Sequence, residues 1–292
     1  MLGARPHSQP RLDFVEISDF SQPDCDLSAA LAGGIDGVVH IASPLTYDTR
    51  DNEKELILPA INGVNAILRA AGAAGTVKRV VMTSSFGAVL DIDTEIAPYF
   101  TYTGAHWNPL SYEEAADPRT IAVLAYRGSK KFAELAAWDF VRENKPGFDL
   151  VTLCPPMTFG PVVHPVVRTA ELNESNAMLW QVAQGKIPLP VARVSFWIDV
   201  RDLAEAHAEA LLRPEAGGKR YLPASPEYFS YGLAAEIIRD EFEFAKGRTL
   251  EQQHPDTRRG IDGETVAREL GITYRSFRET VVDLVKQAAA MP

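Results

Sequence analysis

The chain has 292 residues, 46% of them hydrophobic and 23% charged, which suits one large α/β domain with a smaller lobe, or two domains. Its formal net charge of −10, with no basic stripe, excludes a polyanion such as nucleic acid as the partner, since gripping phosphates takes clustered Lys and Arg. Cys25 and Cys154 lie far apart and match no metal or redox spacing, no stretch approaches the roughly 18 apolar residues of a membrane span, and the N-terminus lacks a secretory core; two reduced thiols in a cytoplasmic protein that binds no metal are expected.

In chain order, residues 12–17 read as a strand and the nearly continuous apolar run 37–41 (GVVHI) as a second. Residues 58–73 have helical spacing at Ile61, Val64, Ile67 and Leu68. Residues 79–83 (RVVMT) form a third strand, and 121–144 form a long helix stopped by Pro146-Gly147. Residues 148–154 form a fourth strand, halted by Pro155-Pro156. Residues 161–196 are loop-rich with scattered helix and no clear strand. A helix over 199–212 opens on Asp199 with Asp202 three residues on, a variant of the capping box. Residues 220–223 read as a short strand, and two or three helices finish the chain.

Fully apolar strands alternating with helices imply a parallel sheet covered on both faces, a Rossmann-like doubly wound α/β fold. Ligands in such sheets bind beyond the carboxyl ends of the strands, which marks residues 40–44, 84–86 and 155–160.

Within the long helix, Tyr126 and Lys130 are four residues apart and so share one face. An ammonium beside a phenol favours the phenolate and lowers the phenol pKa, giving a group able to move a proton at a carbonyl oxygen. Ser85 follows the third strand at the ligand rim, where it either binds the same oxygen or caps a turn.

These residues sit in a longer series: HIASP (40–44), LPAINGVNAIL (58–68), RVVMTSSFGAV (79–89), AYRGSKKFAE (125–134), PPMTFGP (155–161) and WIDVRDLAEAH (197–207). In that order they resemble the extended short-chain dehydrogenase/reductases, in the branch of fungal methylglyoxal/aldehyde, dihydroflavonol and cinnamoyl-CoA reductases. The resemblance implies Ser85, Tyr126 and Lys130 as catalytic triad. It implies NADP as cofactor, with Ala42, Ser43 and Pro44 lining the groove and Pro155 and Met157 flanking the nicotinamide. Arg5 would face a 2′-phosphate and Asp19 the adenine side, although a surface arginine and a turn aspartate are equally open. Phe86, Trp107, Phe159 and Asn173 are the expected contacts of a small carbonyl substrate, with His106, His164 and Met178 as neighbours.

One departure stands out. The family opens with a strand, a glycine-rich phosphate turn and a helix, and nothing here fits that motif. The expectation is a sheet lacking its first βα unit: residues 1–160 as an incomplete dinucleotide-binding domain with 197–212 packed on it, and 161–196 and 213–292 as the substrate lobe. Removing a central strand exposes two edges that a rearranged strand, a partner chain such as a second copy, or an additional segment must cover. Three functions stay open: NADPH-dependent reduction of an aldehyde or ketone; a redox-neutral isomerase, cyclase, dehydratase or lyase of natural-product biosynthesis that no longer needs the cofactor; and a non-catalytic binding protein.

Overall fold

Three short apolar runs, GVVH, RVVMT and DLVTL, and the two-residue Arg220-Tyr221 form a parallel sheet that buries most of its apolar side chains on both faces. The computed structural model describes residues 13–46, 48–91, 100–249 and 251–291. Its strands are β1 (Gly37–His40), β2 (Arg79–Thr83), β3 (Phe100–Tyr102), β4 (Asp149–Leu153), β5 (Met157–Phe159), β6 (Trp197–Asp199), β7 (Arg220–Tyr221) and β8 (Arg259–Ile261). Its helices are α1 (Leu58–Ala74), α2 (Tyr112–Ala116), α3 (Ala122–Asn144), α4 (Glu174–Ala183), α5 (Val200–Leu212), α6 (Tyr231–Glu241), α7 (Glu264–Leu270) and α8 (Phe277–Ala289).

The main sheet runs β1-β2-β4-β7, parallel throughout, with Gly37 opposite Arg79, Arg79 opposite Asp149 and Thr152 opposite Arg220. On one face Val38, Val80 and Leu150 pack with Val64, Leu68 and Ala71 of α1 and Ala133 and Ala137 of α3. On the other, Val81, Val151 and Leu153 pack with Ala206 and Ala210 of α5 and Val266 and Leu270 of α7. The sheet is therefore doubly wound. Among the described residues β1 pairs on one side only, and its Val39 is partly exposed. A separate aromatic core of Phe159, Trp197, Phe229, Tyr231 and Phe277 joins α4, α6 and α8 to the small parallel pair β5–β6.

Several expectations are corrected. Residues 13–17 form no strand: no neighbouring strand offers them a ladder, and Phe14 is 67% exposed. The pairs β5–β6 and β3–β8 were not foreseen, because strands of three residues carry too few alternations to show a period. Asp199 caps α5 by accepting from the Arg201 backbone N–H at 2.8 Å, but the capping box does not close, since Asp202 is taken by the Arg275 backbone N–H at 2.8 Å and its guanidinium. The stretch Glu53–Ala74 does reach the length and hydropathy of a membrane span. Its apolar residues instead serve as the core face of α1, burying Ala60, Val64, Leu68 and Ala71.

Where α2 crosses α3, Gly128 lets the two backbones approach, and a Cβ built there would lie 2.3 Å from the Ala115 Cβ. In an open helix Gly→Ala gains about 1 kcal/mol, whereas overpacking costs about 1–3 kcal/mol. Gly128→Ala is therefore expected to lower stability by up to about 2 kcal/mol in urea unfolding; a stabilised variant would show that α2 simply moves away.

Candidate active site

The carboxyl ends of β2 and β4 hold the site together. Past β2 the Ser84 N–H donates to the Leu153 carbonyl at 2.7 Å, and the Phe86 N–H donates to the Pro155 carbonyl at 2.9 Å, so the two strand exits are laced to each other. Ser85 stays extended between them, with φ −155° and ψ 150°, and its hydroxyl accepts from the Gly87 N–H at 3.0 Å, capping the turn 86–88. The turn-capping reading of Ser85 holds, and the same side chain is hydrogen-bonded to Tyr126, whose pKa it lowers.

Tyr126 and Lys130 lie one turn apart on α3, with the Lys130 Nζ 5.9 Å from the centre of the Tyr126 ring. Lys130 is 7% exposed, and burial pushes its ammonium down to about 8 against the pull of Cys154 and Glu134. The expected lowering of the phenol pKa is corrected. Burial is the largest influence on Tyr126 and raises it, the Ser85 hydrogen bond opposes that rise, and the Glu174 carboxylate of α4 adds to it. The physical reason is that a buried phenolate loses its water, while the lysine meant to compensate lies over the ring, 5.9 Å from its centre, and is not among the groups that lower the phenol. His40, at the end of β1, is held down at about 4 by burial and then by the Lys130 charge, so it is a neutral imidazole edge-on to Phe20.

The remaining expected residues are distributed as follows. Ala42, exposed, and Ser43 and Pro44, half-buried, follow β1 directly at the sheet's carboxyl edge. Pro155 is buried beside Ser85's turn, and Met157 opens β5 half-buried. Trp107 is half-buried with the Arg220 guanidinium 3.7 Å from its ring centre. Asn173 is exposed before α4, and its amide donates to the Ser175 hydroxyl at 2.8 Å. His106 accepts from the Thr103 N–H at 3.0 Å, His164 is exposed, and Met178 sulfur accepts from the Tyr231 hydroxyl at 3.2 Å. Asp19 is exposed and forms a turn with Ser21 and Gln22. Arg5 lies outside the described residues.

Two substrate contacts are corrected. Phe86 is 3% exposed, edge-on to Tyr102 and Phe196 at 5.1 and 5.5 Å. Phe159 is 0% exposed and edge-on to Phe229 at 5.1 Å. Both rings are core, since no ligand touches a ring that has no free face. Conversely, Glu134 and Arg220 were passed over, although both are buried at the same strand exits. Glu134 falls four residues beyond Lys130, and that repeat of the Tyr–Lys spacing was the available signal.

The profile of the NAD dependent epimerase/dehydratase family matches residues 4–222. The NADPH-dependent methylglyoxal reductase of Saccharomyces cerevisiae is 35% identical over 265 residues, covering 86% of this chain and 75% of that one. A ketoreductase of Aspergillus niger is 36% identical over 281 residues, covering 93% and 81%. The crystal structure of yeast methylglyoxal/isovaleraldehyde reductase complexed with NADPH is similar with a TM-score of 0.86 and 31% identity, covering 98% of this chain and 86% of that one. The chain thus belongs to the NAD dependent epimerase/dehydratase family, among the extended short-chain dehydrogenase/reductases, and is an oxidoreductase of that kind.

Proposed function

We propose that the protein reduces the carbonyl group of a small aldehyde or ketone with NADPH, and that Ser85, Tyr126 and Lys130 carry the proton side of the reaction. The observation behind this reading is the hydrogen bond between Ser85 and Tyr126 at the carboxyl end of the sheet, with a buried lysine one helical turn away. The similarity to reductases whose names specify NADPH supports the cofactor.

The residues present suit a nicotinamide ribose. Lys130 is a buried ammonium with no hydrogen-bond acceptor on its Nζ among the described residues, so its donors can serve ribose hydroxyls. NADPH, when bound, supplies the hydride that adds to the carbonyl carbon. Tyr126 gives its phenolic proton to the carbonyl oxygen as that oxygen gains charge, and water returns the proton afterwards. Because burial keeps the phenol above its ordinary range, Tyr126 is in the acid form at neutral pH. Ser85 donates to the same oxygen and fixes its direction. Ala42, Ser43, Pro44, Pro155 and Met157 would line the cofactor side with Asp19 and Arg5 at its far end, in a unit of 1–160 and 197–212. Trp107 and Asn173 would face substrate, with 161–196 and 213–292 as the second lobe.

Two outcomes check this reading. With methylglyoxal or isovaleraldehyde as substrate and loss of NADPH absorbance as the signal, Tyr126→Phe is expected to lower kcat by roughly 10²–10⁴, with the NADPH Kd within about twofold of wild type. Failure of the wild-type chain to bind NADPH, or full activity in Tyr126→Phe, would overturn it. The second outcome concerns stability without cofactor. The folded state releases the Lys130 proton near pH 8 and the unfolded state near 10.5. Between those values the unfolded chain holds more protons, so stability rises with pH. Relative to Lys130→Met, wild type should gain about 3 kcal/mol across that window in urea unfolding; a constant difference would show that the ammonium is solvated.

A further inference from the structure

Glu134 is fully buried on α3 and has no part in the chemistry proposed above. A buried carboxylate is costly unless donors match its oxygens. Here Arg220 donates from Nε at 2.8 Å and from Nη2 at 3.1 Å, the Ser84 hydroxyl at 2.6 Å, and the Cys154 thiol at 3.4 Å. Burial raises this carboxyl, but Arg220 and Ser84 outweigh it and hold the group below its ordinary value. Glu134 therefore stays an anion, and these partners come from the exits of β2 and β4 and from the first residue of β7.

Arg220 spends its remaining donor on a loop. Its Nη1 donates to the carbonyls of Gly104, at 3.1 Å, and His106, while the guanidinium plane covers Trp107. The approach requires glycine, for a Cβ at Gly104 would lie 2.2 Å from the Arg220 carbonyl oxygen. Two residues past His106, the Asn108 amide donates to the Gly87 carbonyl at 2.9 Å, and the Asn108 N–H to the Ala88 carbonyl at 2.9 Å. Gly87 in turn donates its N–H to the Ser85 hydroxyl oxygen at 3.0 Å. Ser84, bound to Glu134, is the residue before Ser85. The circuit closes on itself: Glu134, Ser84, Ser85, Gly87, Asn108, the loop 104–106, Arg220 and back to Glu134.

We propose that Glu134 and Arg220 are positioning residues for Ser85, closing a ring of hydrogen bonds that fixes its hydroxyl for Tyr126 on the same helix as Glu134. This rests on the reading of Ser85 and Tyr126 given above. The ring supports Ser85 from both sides. Ser84 holds its backbone to α3, and Gly87 occupies an acceptor site on its oxygen, which leaves the hydroxyl proton for Tyr126 or a carbonyl. Neither Glu134 nor Arg220 needs to meet substrate, and a misplacement of about 1 Å in such a support costs up to 10²-fold in rate.

The test uses Arg220→Lys, which keeps a cation beside Glu134 but loses the planar fork, and Asn108→Ala, which breaks the ring away from the ion pair. Both are expected to lower kcat about ten- to hundredfold, with KM and the NADPH Kd within about twofold. In a Ser85→Ala background neither should lower kcat further, because the group they position is gone. A readout independent of turnover is the Tyr126 ring signal in protein labelled with carbon-13 tyrosine, assigned by its loss in Tyr126→Phe. Ser85→Ala should shift it, each ring variant should shift it the same way, and the shifts should not add. Wild-type rates in both variants, or effects that add to those of Ser85→Ala, would overturn the proposal. If the wild-type chain turns over no carbonyl while the Tyr126 signal still responds to Arg220→Lys, the reductase reading fails and the positioning role stands.

Discussion

Everything at this site depends on α3 carrying a tyrosine, a lysine and a glutamate at four-residue intervals, with Lys130 and Glu134 buried and Tyr126 half-buried beside them. Desolvation then acts on each according to its charge. It raises the phenol, lowers the ammonium, and would raise the carboxyl were Arg220 and Ser84 not bound to it. Three groups on one stripe thus leave the ordinary pKa order of surface residues, and the differences between them come from their partners.

The partners are supplied by the parallel sheet. Strands that are apolar on both faces keep most of their polar residues near their ends, and Ser84 just past β2, Cys154 just past β4 and Arg220 at the start of β7 gather beside one another. Glu134 reaches all three. The same residue thereby ties the helix to the strand exits and compensates the cost of its own burial. Helix and sheet are locked beside Ser85, where the proposed proton transfer would need a fixed distance.

Much of this arrangement was legible in the sequence. The apolar runs at 37–41, 79–83 and 148–154 became β1, β2 and β4, and the long helical pattern became α3, because periodicity over many residues is decided by burial. The Tyr126–Lys130 spacing gave a shared face correctly and the direction of the pKa wrongly: spacing shows neighbours but not the loss of water. Phe86 and Phe159 looked like pocket residues from their place after strands, yet aromatic rings at such exits pack on one another unless something polar keeps a face open. The strands β3, β5, β6 and β8 are three-residue matters of tertiary pairing, invisible to any local pattern. Glu134 and Arg220 are 86 residues apart, so no spacing rule joins them.

In the proposed reduction, a raised phenol pKa would not disqualify Tyr126 as the acid. The oxygen that receives the proton becomes an alcohol, whose conjugate base is far more basic than any phenolate, so the transfer runs downhill even from a buried tyrosine. Burial lowers the acid strength, and the phenol, protonated at neutral pH with or without that shift, is intact when a carbonyl arrives. Driving force is then in excess and alignment becomes scarce. In the proposed reading alignment is what a hydroxyl held on two sides would provide, and the backbone ties around Ser85 and the buried Glu134–Arg220 pair are placed to supply it.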